Sequence, residues 1–149
     1  MEMLIHNLIS NSMFIYLYYY MSMLVHEMGH YIVALAYNIP VLGIHIGNTE
    51  NFCITVGKLK LSLWGLASFV EIEEEDLARL DNCGRNLFYT AGIVANIILY
   101  GVTLVFLHNI MPAKIITIFT VALILENMCP FFPNSDISAL IRIKKCKEV

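Results

Sequence analysis

The chain has 149 residues, enough for one domain and too few for a second sizeable core. Hydrophobic residues make up 58% of it and charged residues only 14%, whereas soluble proteins average roughly one half and one quarter. The net charge is −3 and no basic stripe runs along the chain, so the sequence does not predict nucleic-acid binding. This composition predicts a single-domain integral membrane protein.

Three apolar segments approach the length of about 20 residues that a helix needs to cross a bilayer. They cover about residues 12–37, 87–107 and 113–128, and the third is so short that residues after it must complete the span. The fold class that we predict is an α-helical integral membrane protein with about three transmembrane helices. Tyr16, Tyr18, Tyr19 and Tyr20 come early in the first of them and predict anchoring at a membrane interface.

The first apolar segment contains the sequence H-E-x-x-H, from His26 to His30. Residues four apart on a helix share a face, so His26 and His30 can bind one metal ion. Glu27 lies about 100° further around the helix, where it can deprotonate a water molecule without binding the ion itself. Such short strings occur by chance, but two histidines and a glutamate at membrane depth are costly unless something binds them. We therefore predict a metal site with Glu27 as its base.

The segment from residue 41 to residue 63 has the alternating pattern of strands and not that of a span. Asn48-Thr49-Glu50-Asn51 separates two short apolar runs, and Lys58 to Leu63 alternates strictly. We predict a small membrane-associated β-hairpin sheet here, with His45 as an ordinary strand residue. The acidic run from Glu71 to Asp76 predicts the solvated start of a helix.

Asn96 lies in the second apolar segment, four residues after Gly92. An asparagine in a span is costly unless it bonds to another helix or to the backbone of a substrate, and the residues alone leave both readings open. The small residues Ala91, Gly92 and Ala95 would let a neighbouring helix approach closely.

The third apolar segment runs into Asn127, and Pro130 and Pro133 must then break the helix. Broken helices at membrane depth usually serve a site, because the freed backbone groups need partners. Asp136 comes after the break and can supply a carboxylate oxygen to the metal. Glu126, before the break, is the competing candidate.

Basic residues predict the orientation of the chain. All of them except Lys114 fall either between residues 40 and 85 or in the basic tail 142–149. With three spans these two segments share one side, which the positive-inside rule makes cytoplasmic. We therefore expect a multi-pass protein of the plasma membrane whose C-terminus and metal-site side are cytoplasmic.

Together these features resemble the site-2 protease family of intramembrane zinc metalloproteases, over nearly the whole chain. The resemblance is carried by the H-E-x-x-H sequence, by Gly92-x-x-x-Asn96, and by Asn127-x-x-Pro130 with an aspartate, Asp136, after it. The predicted β segment also matches the position of a membrane-associated β segment in that family. The order of these features makes the match far more specific than H-E-x-x-H alone.

The resemblance implies one zinc ion per chain, bound by His26, His30 and Asp136, with Glu27 as the catalytic base. It also implies that Asn96 and Asn127 position the substrate strand. The expected activity is intramembrane zinc endopeptidase, and the expected partners are the lipid bilayer and a membrane-embedded peptide or protein: a regulator, a signal-peptide remnant or a small precursor peptide. The alternative is a non-catalytic membrane binding or immunity protein on the same scaffold.

The chain departs from the family pattern at two places. Ile93 stands where the family often has proline, and Ser135-Asp136-Ile137 replaces Leu-Asp-Gly, with one more residue than usual after Asn127. Loss of the glycine could shift the carboxylate of Asp136. In addition, the short turn at 108–113 has no room for a PDZ-like domain.

Overall fold

The computed structural model describes residues 2–48, 53–63, 67–107, 112–129 and 135–138. Within these ranges the helices are α1 (Glu2–Ala36), α2 (Glu74–Arg79), α3 (Asn82–Leu107) and α4 (Pro112–Met128). The strands are β1 (Val41–Ile46), β2 (Ile54–Val56), β3 (Leu59–Leu61) and β4 (Ser68–Ile72). The basic tail 142–149 and the two prolines of the expected helix break lie outside the described residues.

The helices α1, α3 and α4 correspond to the three predicted spans, although α1 begins ten residues before the expected boundary at residue 12. Among the described residues, only Asn82–Phe106 is both long and apolar enough to cross a membrane by length and composition. The apolar part of α4, Ile116–Leu125, is shorter, and α1 carries tyrosines and the polar H-E-x-x-H residues. The prediction of three transmembrane helices is therefore not confirmed.

The C-terminus of α1 has the geometry of a Schellman motif. Asn38 adopts a left-handed conformation with φ 55°. The amide of Ile39 then donates to the carbonyl of Ala34 at 2.8 Å, and that of Asn38 to Leu35 at 3.1 Å. These two hydrogen bonds satisfy carbonyls that the helix end would otherwise leave unpaired. The helix ends two residues before Asn38, close to the predicted position.

The β segment is a four-stranded mixed sheet of order β2-β3-β1-β4 and not the simple hairpin that the sequence predicted. The two strands that flank the Asn48–Asn51 tetrad do not pair, because β1 runs parallel to β3 and antiparallel to β4. The hairpin of the sheet is formed by β2 and β3, an antiparallel pair that turns at Gly57 with φ 62°. β4 includes Glu71 and Ile72, so the helix that the acidic run predicted begins after them, as α2.

The sheet runs back along α1 from the end of that helix. Ile44 and Ile46 of β1 and Val70 of β4 contribute to the core against α1. The hydroxyl of Tyr20 donates to the carbonyl of Ser62 at 2.9 Å, and that of Tyr16 bonds to Leu63. Irregular backbone at membrane depth needs such partners, because lipid offers none. These two tyrosines thus support the sheet, a role that the predicted interfacial anchoring did not include.

Close packing of α1 against α3 brings the two helices to the distance that the site requires. A Cβ atom placed on Gly29 would lie 2.6 Å from the carbonyl oxygen of Ala91 and 3.0 Å from Cβ of Ala95. The small residues of α3 therefore face α1, as predicted. At such a contact even one methyl group forces the helices apart.

We expect Gly29→Ala to lower the free energy of unfolding by about 1–3 kcal/mol, the usual cost of overpacking a tight contact. Thermal unfolding in detergent with a chelator present measures this without any contribution from metal. Gly101→Ala is the matched control, because a Cβ there meets nothing within 4 Å, and its stability should be unchanged or higher. Equal stability of the two variants would show that α1 and α3 do not pack in this way.

Candidate metal centre

Three side chains, two from α1 and one from the turn after α4, converge beside α3. Nε2 of His26 lies 3.2 Å from Nε2 of His30. Oδ2 of Asp136 lies 3.2 Å from the first of these nitrogens and 3.5 Å from the second. Both histidines are buried, and Oδ2 of Asp136 is a buried oxygen without a hydrogen-bond partner of good geometry in the described structure.

This arrangement has the dimensions of a tetrahedral zinc site. Zinc binds histidine nitrogen and carboxylate oxygen at about 2.0–2.2 Å, so two ligand atoms of a tetrahedral site are separated by about 3.3 Å. The three observed separations of 3.2, 3.2 and 3.5 Å bracket that value. Two neutral imidazoles and one carboxylate are also ligands that zinc accepts in catalytic sites, where a fourth position stays open. The residues therefore fit zinc, the ion that the family resemblance implied.

The two histidines are oriented by groups on α3. Nδ1 of His30 lies 2.7 Å from the carbonyl oxygen of Phe88, which can only accept, so Nδ1 carries the proton and Nε2 presents its lone pair to the site. On the same helix, a Cβ atom on Gly92 would lie 2.5 Å from Nε2 of both histidines. Glycine at this position thus leaves the space that the ligand atoms fill.

The third candidate ligand stands on a short helical turn at residues 136–138, and Ser135 secures that turn at both ends. Oγ of Ser135 accepts from the amide of Ser138 at 3.2 Å, the geometry of a helix N-cap. The same hydroxyl donates to the carbonyl of Cys129 at 2.8 Å, just after α4 ends. The turn is therefore tied to the end of α4, and the Ser135-Asp136-Ile137 sequence directs its carboxylate to the histidines without the glycine of the family pattern.

Electrostatics favour the ionised form of this carboxyl group. Burial raises the pKa of Asp136, but the close polar contacts with His26 and His30 outweigh that effect and lower the pKa to about 2. A carboxylate that is ionised at neutral pH is the form that binds a cation.

Glu27 lies beside the three candidate ligands without joining them. Its side chain is 3% exposed, and Ser68 at the start of β4 donates a hydrogen bond to Oε1 at 2.7 Å. The residues that form a possible metal cluster are His26, His30 and Asp136, among the described part of the chain. This placement is the one expected of a base that acts next to a metal. Ser68 was not singled out by the sequence, because β4 itself was not predicted.

A cavity of ≈610 Å³ opens onto these groups. Its lining includes Glu27, Asp136, Ser68 and Val70, together with Asn127 near the end of α4. The side-chain amide of Asn127 donates to the carbonyl of Leu123 at 3.0 Å and is partly exposed to the cavity. Asn127 therefore lines the same cavity as Glu27 and Asp136.

Asn96 has a different position from Asn127. It is 3% exposed, with Nδ2 at 3.3 Å from Nδ1 of His26 and Oδ1 accepting from the hydroxyl of Ser22 at 3.1 Å. Its amide is therefore engaged between α1 and α3. The sequence left open whether Asn96 bonds to a helix or to substrate, and the contact in the structure is to a helix.

Other residues considered from the sequence lie away from the centre or outside the described part. His45 pairs with Glu71 at 3.0 Å and stacks on Phe69, as a strand residue of β1. Cys53, Cys83 and Cys129 are not joined in disulfides. The side chain of Glu126, the competing candidate for the third ligand, is not among those described.

Comparison with known proteins identifies the family of the chain. The sequence profile of Peptidase family M50 matches residues 14–144, which is most of the chain. The protein therefore belongs to Peptidase family M50, the site-2 protease family, and the resemblance noted from the motifs is confirmed. Members of this family are membrane-embedded zinc metallopeptidases. Neither the curated proteins nor the solved structures include a significant match.

We expect Ser135→Ala to weaken zinc binding about tenfold, because the turn that carries Asp136 loses both its N-cap, worth about 1 kcal/mol, and its tie to α4. Ser135→Thr keeps both hydrogen bonds and should bind zinc nearly as the wild type does. Competition with a chelating dye measures both affinities on purified protein. Wild-type affinity in the alanine variant would show that Ser135 does not place the carboxylate.

Proposed function

We propose that this protein is an intramembrane zinc endopeptidase that hydrolyses peptide bonds of membrane-embedded substrates. The observation that carries the proposal is the position of Glu27, held by Ser68 beside three converging ligand groups and open to a cavity. Retention of a base at this place favours catalysis over a purely structural metal site. Family membership supports the reaction class, and the substrates belong to the proposal alone.

His26, His30 and Asp136 would hold the zinc ion. When bound, zinc supplies a Lewis acid that activates water and polarises the scissile carbonyl group. The remaining work falls to residues of the chain. Ser68 occupies Oε1 of Glu27, which leaves Oε2 to take a proton from the attacking water. As the C–N bond breaks, Glu27 returns that proton to the leaving amine, so that proton uptake and release balance.

The free edge of β4 is the proposed binding surface for the substrate backbone. β1 is the only described strand beside β4, and the amide of Gly47 donates to the carbonyl of Ala67 at 2.8 Å. Backbone groups alternate in direction along a strand, so those of Ser68 and Val70 point away from β1. A substrate helix hides its backbone in hydrogen bonds, and once unwound it can pair with this edge by β-addition. Asn127 lines the same cavity, and we assign it a hydrogen bond to a further backbone group of this segment.

The free edge of β4 lies next to the base Glu27, because Ser68 is part of that edge and also contacts Glu27. Its backbone faces the free edge of the sheet, while its hydroxyl bonds to Glu27. A strand added there would bring its peptide bonds alongside the metal centre.

The proposed membrane is the plasma membrane. The sheet and the basic tail would lie on its cytoplasmic side, as the distribution of basic residues predicts.

We expect Glu27→Gln to reduce cleavage by a factor of about 10²–10⁴, because glutamine cannot take up the proton, while zinc binding is retained. The assay is cleavage of a single-span reporter that the wild type cuts, with zinc content measured on the same samples. Undiminished cleavage by the glutamine variant would contradict the mechanism. A wild type that binds zinc but cleaves no member of a broad reporter panel would favour the non-catalytic binding or immunity protein.

We expect Val70→Pro to lower kcat/KM about fivefold or more, because the substrate loses one backbone hydrogen bond worth about 1 kcal/mol. Proline is tolerated on an edge strand when the missing N–H points outward, so the sheet and zinc binding should survive. Val70→Ala, which removes the side chain but keeps the N–H, is the control. A larger loss in the alanine variant than in the proline variant would contradict docking at this edge.

A further inference from the structure

We propose that Asn96, backed by Ser22, is a positioning residue that sets the tautomer of the metal-binding His26. This inference rests on the proposed zinc site, and it gives Asn96 a role at the metal centre in place of the substrate contact that the family resemblance implied. The observation behind it is a buried chain of three polar side chains, Ser22–Asn96–His26, that joins α1 to α3.

A histidine that binds a metal through Nε2 must carry its proton on Nδ1, and a buried N–H requires an acceptor. His30 meets this condition permanently, because the carbonyl of Phe88 at 2.7 Å can only accept. His26 has no backbone carbonyl bonded at its Nδ1 in the described structure. What faces it at 3.3 Å is the side-chain amide of Asn96, which can present either a donor or an acceptor.

In the present arrangement the NH₂ group of Asn96 donates to Nδ1 of His26. The proton of His26 then lies on Nε2 and is donated to Nε2 of His30, 3.2 Å away. This set of hydrogen bonds pairs both ring nitrogens of His26 in the metal-free site and leaves Oδ2 of Asp136 without a partner among the described residues. It is incompatible with zinc, since the nitrogen that must bind the ion is protonated.

A half-turn of the Asn96 amide converts the site to the metal-binding form. The amide oxygen then accepts from Nδ1–H of His26, and Nε2 is freed to bind the ion. The hydroxyl of Ser22, at 3.1 Å, makes the half-turn possible because it can accept from the NH₂ group as readily as it now donates to the oxygen. In both orientations the Asn96 amide and the Ser22 hydroxyl keep their hydrogen bond to each other. A side chain that can only donate or only accept would lose a partner in one of the two orientations.

The spacing of the α3 motif has its reason in the same geometry. Gly92 and Asn96 are one helical turn apart and face the same imidazole. A Cβ on Gly92 would lie 2.5 Å from Nε2 of His26, while the amide of Asn96 meets Nδ1 of that ring. Glycine thus leaves space on the metal side of the ring, and asparagine sets the proton on the other side.

The test is zinc affinity without any substrate, measured by chelator competition on the purified full-length protein in detergent. Asn96→Leu has the same size but no hydrogen-bonding group, and we expect it to weaken zinc binding about 10–100-fold, the usual effect of losing such a partner. Asn96→Asp keeps an acceptor at Nδ1 of His26 and should restore affinity to the wild-type level or above it. Asn127→Leu is the matched control and should bind zinc as the wild type does.

Thermal unfolding with excess chelator shows whether each variant folds. If Asn96→Leu does not fold, Ser22→Ala replaces it: the rotated amide then lacks an acceptor for its NH₂ group, and zinc binding should weaken by a smaller factor. The proposal is overturned if Asn96→Leu binds zinc like the wild type, or if Asn96→Asp loses as much affinity as Asn96→Leu. A wild type that binds no zinc overturns the metal centre as well, whereas a raised KM in Asn96→Asp at unchanged zinc affinity in every variant would return Asn96 to substrate binding.

Discussion

Two imidazole nitrogens and a carboxylate oxygen meet within 3.5 Å of one another in a buried site, and the fold is built around this contact. Three electron-rich atoms held so closely repel one another unless protons or a cation lie between them, and burial makes that cost larger than it would be in water. A divalent ion removes the cost and turns it into binding free energy. The surrounding elements hold the three groups at the spacing of a possible metal site.

Close approach of helices makes this contact possible. Gly29 lets α1 touch α3, and Gly92 leaves the histidine nitrogens room, so the two glycines act at the same interface for different reasons. The sheet contributes the other half of the site by running back along α1, where Ser68 holds Glu27. The backbone carbonyl groups of Ser62 and Leu63, just after β3, accept hydrogen bonds from the tyrosines of α1. The helix α1 therefore carries the close contact with α3, the hydrogen bonds to the backbone of the sheet, and the base.

The sequence predicted the local parts of this structure well. The spacing of His26 and His30 places them on one face of any helix, and the three long helices correspond to three apolar segments. The strand pairing could not be read in the same way, because β1 pairs with β3 and β4 across loops and alternation alone does not choose between partners. Ser68 was missed for that reason, and the orientation of Asn96 toward His26 depends on how two helices pack. Asp136 could be proposed only from its place after the helix break, since the turn that directs it depends on Ser135 and the end of α4.

X-ray absorption at the zinc edge of the purified protein is the sharpest test of the metal centre, because it reports the ligands of the bound metal without a substrate. We expect one zinc ion per chain with a first shell of nitrogen and oxygen at about 2.0–2.1 Å, outer scattering from two imidazoles, and no sulfur. Replacing Asp136 with alanine should remove one oxygen ligand and lower the zinc content. A sulfur ligand at about 2.3 Å, or a first shell unchanged by that replacement, would contradict the assignment of His26, His30 and Asp136.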